Sequence, residues 1–171
     1  RSVWFARPGM ALTFNGIAQG YIAYRIAAVL RRRGIDRVLV DMGEIVARGR
    51  DRDNRPWRVG LLDPRRELEI AHTVALSDQA LATSGGYGLR FDTGGRFHHL
   101  LDPRTGLSPQ YHLAVSVTAP DATLADGLST AFSAMPERDI AAVLARFPDA
   151  GALITRRDGT VRRLGAFAAS V

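Results

Sequence analysis

The sequence predicts an α+β fold built on a mainly antiparallel sheet with packed helices. Short apolar or alternating runs are joined mostly by tight polar turns, helical periodicity is confined to separate blocks, and the regular strand-helix-strand rhythm of a doubly wound sheet is missing. No internal repeat or low-complexity segment breaks the pattern.

The first strong element follows Asn15-Gly16. Ile17, Tyr21, Tyr24, Ile26, Ala27, Val29 and Leu30 recur mostly at helical spacing until Gly34, which predicts a helix from Gly16 to Arg33. Arg31, Arg32 and Arg33 fall in its last turn, where cations complement the carbonyl end of the helix dipole. The run Arg37 to Val40 reads as a buried strand, followed by strands over Glu44 to Arg48 and Trp57 to Leu62, with Arg50 to Pro56 as a polar hairpin loop. Ile70 to Leu76, Gly88 to Phe91 and Arg96 to Leu101 read as extended, and the Thr83-Ser84-Gly85-Gly86 stretch reads as a turn. His112 to Thr118 alternates well enough for a strand. Asp121 to Met135 predicts a second helix, and Pro136 opens a third through Phe147. Ala152 to Thr155 and Thr160 to Leu164 form a hairpin around Asp158-Gly159, a spelling suited to a type I′ turn.

With 171 residues, 46% of them hydrophobic, the chain can enclose a core as one domain or a compact pair of modules. Its 23 basic residues, all arginine, exceed the acidic ones to give +6, but they are spread along the chain, so a nucleic-acid partner is not expected. There is no cysteine, which excludes disulfides, thiolate metal sites and thiol catalysis. No stretch approaches the roughly 20 apolar residues of a membrane span, and Arg1 to Arg7 carry no targeting signal. A start at Arg1 rather than Met suggests a fragment or a processed form.

Four segments could carry chemistry. Gly16-Ile17-Ala18-Gln19-Gly20-Tyr21 opens a helix, where free N–H groups and the dipole favour a phosphate; close helix packing explains the glycines equally well. Asp126 and Thr130 stand four apart, so a carboxylate and a hydroxyl share one helix face, either as oxygen ligands for Mg²⁺ or as a solvated pair. His98-His99-Leu100-Leu101-Asp102-Pro103-Arg104-Thr105-Gly106 brings two imidazoles to a carboxylate at a turn, and strand alternation would send the two rings to opposite faces. Thr83, Ser84 and Gly85 offer hydroxyls beside Tyr87. Ser84 lies outside a G-x-S-x-G elbow, and His72 and His112 have no specified acidic partner, so nothing supports a Ser-His-Asp hydrolase.

From about Leu12 to Met135, these segments in this order resemble the ApbE family of FAD:protein FMN transferases: Gly16-Ile-Ala-Gln-Gly-Tyr21, the Trp57 to Pro64 strand, Ala82-Thr-Ser-Gly85, His99-Leu-Leu-Asp-Pro-Arg-Thr-Gly106 and the Ala125 to Ala131 helix segment. Asn15 to Tyr21 and Val40 to Ile45 look more like the NosX branch, which is associated with maturation of the nitrous oxide reductase system. The resemblance implies a T-fold-like arrangement, with residues 1–171 forming the C-terminal major part of one domain and part of the flavin pocket lying in a missing N-terminal portion. It implies Mg²⁺ held by Asp126, Thr130 and the carbonyl of Ala18 against the FAD pyrophosphate, with His99, Asp102 and Thr105 as catalytic residues and His99 as base or orienting group. Asn15, Gly16, Ile17, Ala18, Gln19, Gly20, Tyr21, Glu44, Thr83, Ser84, Gly85 and His99 would contact the flavin nucleotide. The acceptor would be a flavoprotein presenting a Thr or Ser, such as a membrane-bound respiratory regulator, and the location periplasmic. A binding-only maturation factor and a FAD pyrophosphatase are the alternative readings. Gln19 stands where relatives have Lys, Thr13 and Tyr24 where many have Asp, and Asp41-Met-Gly-Glu44 where N-x-G-G-D is commoner.

Overall fold

The computed structural model describes residues 2–170. Six strands form one antiparallel sheet: β1 (Val38–Asp41), β2 (Ile45–Arg48), β5 (Gln79–Gly85), β6 (His112–Ala119), β7 (Gly151–Arg156) and β8 (Val161–Gly165), in that spatial order. Between β2 and β5 the chain leaves to form a separate hairpin of β3 (Trp57–Asp63) and β4 (Arg66–Leu76), paired from Trp57 opposite Leu76 to Asp63 opposite Arg66. The helices α1 (Ala18–Arg32), α2 (Ala122–Ser133) and α3 (Glu137–Leu144) complete an α+β architecture.

The sheet is sandwiched. On one face Ala23 and Ala27 of α1, Ala125, Leu128 and Phe132 of α2 and Ile140 of α3 pack with Val46, Ala82, Val115 and Val117. On the other, Val59, Leu61, Val74 and Leu76 of the hairpin meet Ala47, Leu81, Leu153 and Phe167. Strands covered on both faces lose the apolar-polar alternation, and β6 accordingly buries its last six residues in succession. Phe132, fully buried, anchors α2 to the sheet. Asp121 caps α2 by accepting a hydrogen bond from the Leu124 N–H at 2.9 Å, and Glu137 in the first turn of α3 holds both Arg156 and Arg162, tying that helix to the β7–β8 hairpin.

Several sequence expectations need correction. The Thr83-Ser84-Gly85 stretch is the end of strand β5 rather than a turn. Its buried Ala80-Leu81-Ala82 gives no alternation to read. Arg96 to Leu101 and Gly88 to Phe91 form no strands; they share one isolated bridge, Arg90 to His98. The Phe91 N–H donates to the Phe97 carbonyl and the His99 N–H to the Leu89 carbonyl, but side chains take the donors between them, the Phe97 N–H going to Asp92 and the His98 N–H to Ser108. Arg50 to Pro56 does not close a hairpin, because β2 pairs with β1 and β5 while β3 pairs with β4. The β7–β8 turn is not type I′: Gly159 alone is left-handed, at φ 90°, and its N–H closes back on the Arg156 carbonyl at 2.9 Å. Helix α1 begins two residues after Gly16, and α2 stops at Ser133, short of the Met135 expected.

Candidate functional site

Helix α1 starts without a side-chain cap, since Ile17 offers none, and without an acidic residue in its first turn. The group that reaches its exposed N–H end comes from α2: Asp126 Oδ2 accepts from the Gly20 N–H at 2.9 Å. Both glycines of the motif permit this approach. A Cβ on Gly20 would lie 2.2 Å from the Ala122 carbonyl oxygen and 2.6 Å from Asp126 Cβ, and one on Gly16 would lie 2.9 Å from Thr130 Cγ2. Their demonstrable role is therefore close packing of α1 on α2, and that packing turns Asp126 and Thr130 toward the Gly16 to Gly20 segment.

The rest of the cluster comes from the sheet. Ser84 Oγ lies 2.9 Å from Ser129 Oγ and 3.3 Å from Thr130 Oγ1, so three hydroxyls meet beside the helix start. Because β5 is a strand, its neighbour Thr83 points to the opposite face and pairs with Ser116 at 2.8 Å. Thr83 lines a cavity of about 360 Å³ under the β3–β4 hairpin, together with Tyr87 and Ser116. Thr83 and Ser84 thus serve separate surfaces.

Glu44, just before β2, is buried with Oε2 lacking any hydrogen-bond partner among the described residues. Burial, reinforced by the charges of Asp126 and Asp41 and opposed by the Thr83 backbone N–H, pushes its carboxyl from 4.5 up to about 8. Burial also raises Asp126, against the lowering effect of the Gly20 N–H. Neither carboxyl has an arginine or histidine partner among the described residues. Gln19 reaches the β1–β2 turn, its Nε2 donating to the Met42 carbonyl at 2.5 Å.

A cation fits this donor set. Asp126 at the start of α1 adds to the burial that raises the Glu44 carboxyl, whose Oε2 is orphaned, and Thr130, one turn after Asp126, adds a hydroxyl: all are hard oxygen donors. Among the described residues no three His, Asp or Glu side chains form a ligand cluster. Thr130 also lines a cavity of about 530 Å³, together with Phe14, Gly16, Ile17, Leu101, Ala131 and Met135.

The His99 to Gly106 motif divides differently. His99 is exposed, its Nδ1 3.4 Å from the Leu89 carbonyl, and it hydrogen-bonds to none of Asp102, Thr105, Asp126 or Thr130. His98 is buried, with Nε2 donating to the Pro109 carbonyl at 3.1 Å. The opposite placement of the two rings agrees with alternation although no strand forms. Asp102 is engaged by Arg104, which donates from its backbone N–H and from Nε and Nη2 at 2.8 to 3.3 Å and holds the carboxyl below its usual range. Thr105 Oγ1 accepts from the Leu107 N–H at 3.2 Å within the same turn. Both side chains are thus committed to turn geometry, and Asp102 also lines the larger cavity. Tyr21 points outward, its hydroxyl 2.6 Å from Arg25 Nη1, and the Asn15 N–H donates to Thr13. Ser129 escaped notice in the sequence. Its position three residues after Asp126, on the same helix face, was the available signal.

The fold and cluster define a mixed α/β protein in which a helix start, a buried carboxyl and three hydroxyls converge. The chain belongs to the ApbE family: the profile described as ApbE family matches residues 1–154. It is 33% identical over 94% of its length to a FAD:protein FMN transferase of Treponema pallidum, covering 48% of that protein, and 33% identical over 77% to one of Haemophilus influenzae, covering 40%. Among solved structures it resembles the ApbE protein of Thermotoga maritima, with TM-score 0.79, 32% identity and coverage of 87% of this chain and 50% of that one. The apo flavinyl transferase ApbE of Pseudomonas stutzeri gives TM-score 0.75, 34% identity and 91% and 50% coverage. The chain spans about half the length, or less, of these relatives.

Proposed function

We propose that this chain carries the metal- and phosphate-binding part of a FAD:protein FMN transferase. The observation that carries the reading is the docking of α2 on the start of α1, which turns Asp126 and Thr130 toward Gly16 to Gly20. Asp126, Thr130 and the Ala18 carbonyl would hold Mg²⁺, and the bound ion would offset negative charge on the FAD pyrophosphate. The α1 start would orient the phosphates, and the Ser84 and Ser129 hydroxyls would fix Thr130. A Ser or Thr hydroxyl oxygen of the acceptor flavoprotein attacks the FMN-side phosphorus, the bridging P–O bond breaks, and AMP leaves with its electron pair. His99, exposed and free to reach an incoming hydroxyl, takes the proton. On the family resemblance alone, this chemistry would take place outside the cytoplasmic membrane. The NosX-like motifs point to an acceptor tied to nitrous oxide reductase maturation.

The test is incubation with FAD, Mg²⁺ and a candidate acceptor, followed by mass measurement. Transfer adds an FMN mass to the acceptor; AMP without adduct means hydrolysis, and retained FAD means binding only. Asp126→Ala in the complete enzyme should abolish Mg²⁺-dependent transfer. Transfer at the normal rate by that variant would refute the metal assignment.

A further inference from the structure

The Ser84, Ser129 and Thr130 hydroxyls beside the start of α1 form a chain with a fixed direction. Ser129 is fully buried and donates to the backbone carbonyl of Asp126 at 3.0 Å, a group with no hydrogen to give in return. A hydroxyl carries a single hydrogen, so Ser129 accepts, and Ser84 donates, across the 2.9 Å between them. Ser84 has then spent its own hydrogen and accepts from Thr130 across 3.3 Å. Reversing the order would leave two oxygens facing each other at the Asp126 end with no hydrogen between them. The rotamer of Thr130 suits the last link. A Cβ on Gly16 would lie 2.9 Å from Thr130 Cγ2, so the methyl rests against the start of α1 and the hydroxyl turns to β5. Of the three residues only Thr130 lines the cavity of about 530 Å³.

We propose, on the reading that Asp126, Thr130 and the Ala18 carbonyl hold Mg²⁺, that Ser84 and Ser129 are positioning residues: they draw the Thr130 proton inward and leave its oxygen with lone pairs alone toward the site. A freely rotating alcohol spends part of its time with its hydrogen pointed at the cation, whereas one whose hydrogen is held elsewhere is an acceptor only. Hydrogen bonds in a buried chain also polarise one another, so the carbonyl at the inner end adds electron density at the Thr130 oxygen. Asp126 therefore serves the cluster twice, its carboxyl taking the Gly20 N–H at 2.9 Å and its carbonyl anchoring the chain. One turn of α2 thus sets both the carboxyl and the proton direction of the hydroxyl that follows it, with Ser84 of β5 as the link between helix and sheet.

The test titrates Mn²⁺, a paramagnetic stand-in for Mg²⁺, into the complete enzyme with FAD bound and reads the free ion by electron paramagnetic resonance. Ser84→Ala and Ser129→Ala should each raise the Mn²⁺ dissociation constant about tenfold, the lower end of what loss of a ligand's hydrogen-bond partner does to metal affinity. Ser84→Thr, which keeps a hydroxyl on a strand residue, should bring it back to within about threefold of wild type. FAD affinity in EDTA and kcat at saturating Mg²⁺ should stay within about twofold in the serine variants, because the hydroxyl chain acts on metal binding and not on the nucleotide. Thr130→Val and Asp126→Asn supply the reference, and both should lose Mn²⁺ binding. Unchanged binding in those two overturns the Mg²⁺ reading and the positioning role with it. Loss in those two beside unchanged binding in both serine-to-alanine variants overturns the positioning role alone. So does a fall in metal-free FAD affinity as large as the fall in Mn²⁺ affinity, which would mark a packing defect.

Discussion

Replacing Glu44 by Gln should remove a pH-dependent loss of stability while leaving the fold in place. Glu44 is 8% exposed and its carboxyl is pushed from 4.5 to about 8, chiefly by burial and secondarily by Asp126 and Asp41. The folded chain therefore holds this proton more tightly than the unfolded chain. Unfolding releases it, and stability falls as pH rises. The contribution is whole below pH 4.5, shrinks through the window and is gone above about 8. At about 1.36 kcal/mol per pH unit the displacement sets a ceiling of about 5 kcal/mol, and local relaxation brings the expected difference to roughly 2–4 kcal/mol. Urea denaturation in EDTA at steps from pH 5 to pH 8.5 measures it, provided the denaturant slopes of wild type and Glu44→Gln agree. The difference between the two proteins is the quantity to read. His98 and His112, held below 6.5 by burial, act in the opposite direction in both proteins and cancel. Parallel stability curves for wild type and variant, within about 0.5 kcal/mol across the window, would refute the burial argument. Adding Mg²⁺ should reduce the wild-type slope, since a cation beside these carboxyls favours their charged forms.

Two further outcomes test the packing. Gly20→Ala should cost about 2 kcal/mol or more, because its Cβ meets the Ala122 carbonyl at 2.2 Å and backbone cannot swing aside; a thermal midpoint unchanged from wild type would show that α1 and α2 are not held this closely. Asp121→Ala should cost about 1 kcal/mol through loss of the α2 cap, measured by urea denaturation, with Asp121→Asn recovering most of it.

The helices were legible because amphipathic spacing and the Asp121 cap are local signals, and β1, β2, β3 and β6 because their apolar runs are short and bounded. Strand β5 was hidden: sandwiched between helices and hairpin, Ala80 to Ala82 present small apolar side chains to both faces and spell no period. The expected strand at Arg96 to Leu101 failed for the converse reason. Phe97 and Leu101 are exposed, and the Asp92 and Ser108 side chains take the hydrogen bonds that a neighbouring strand would have taken. At the site, i to i+4 spacing correctly put Asp126 and Thr130 on one face. Their environment was not readable, because the Gly20 N–H lies 106 residues away in sequence and the Glu44 carboxyl arrives from the edge of another layer.

The hairpin of β3 and β4 leaves the sheet after β2 and returns as β5 to pair beside the strand it left, Ile45 opposite Leu81. Its excursion is therefore a closed detour in the wiring of the molecule. The ladder from β1 to β8 and the two helices bearing Asp126, Thr130 and Gly20 take no hydrogen-bond register from it. Lengthening or regrafting the Pro64-Arg65 turn at its tip is the route by which the surface beside Thr83 could be reshaped while Val59, Leu61, Val74 and Leu76 still cover the sheet and the geometry beneath α1 and α2 is inherited unchanged.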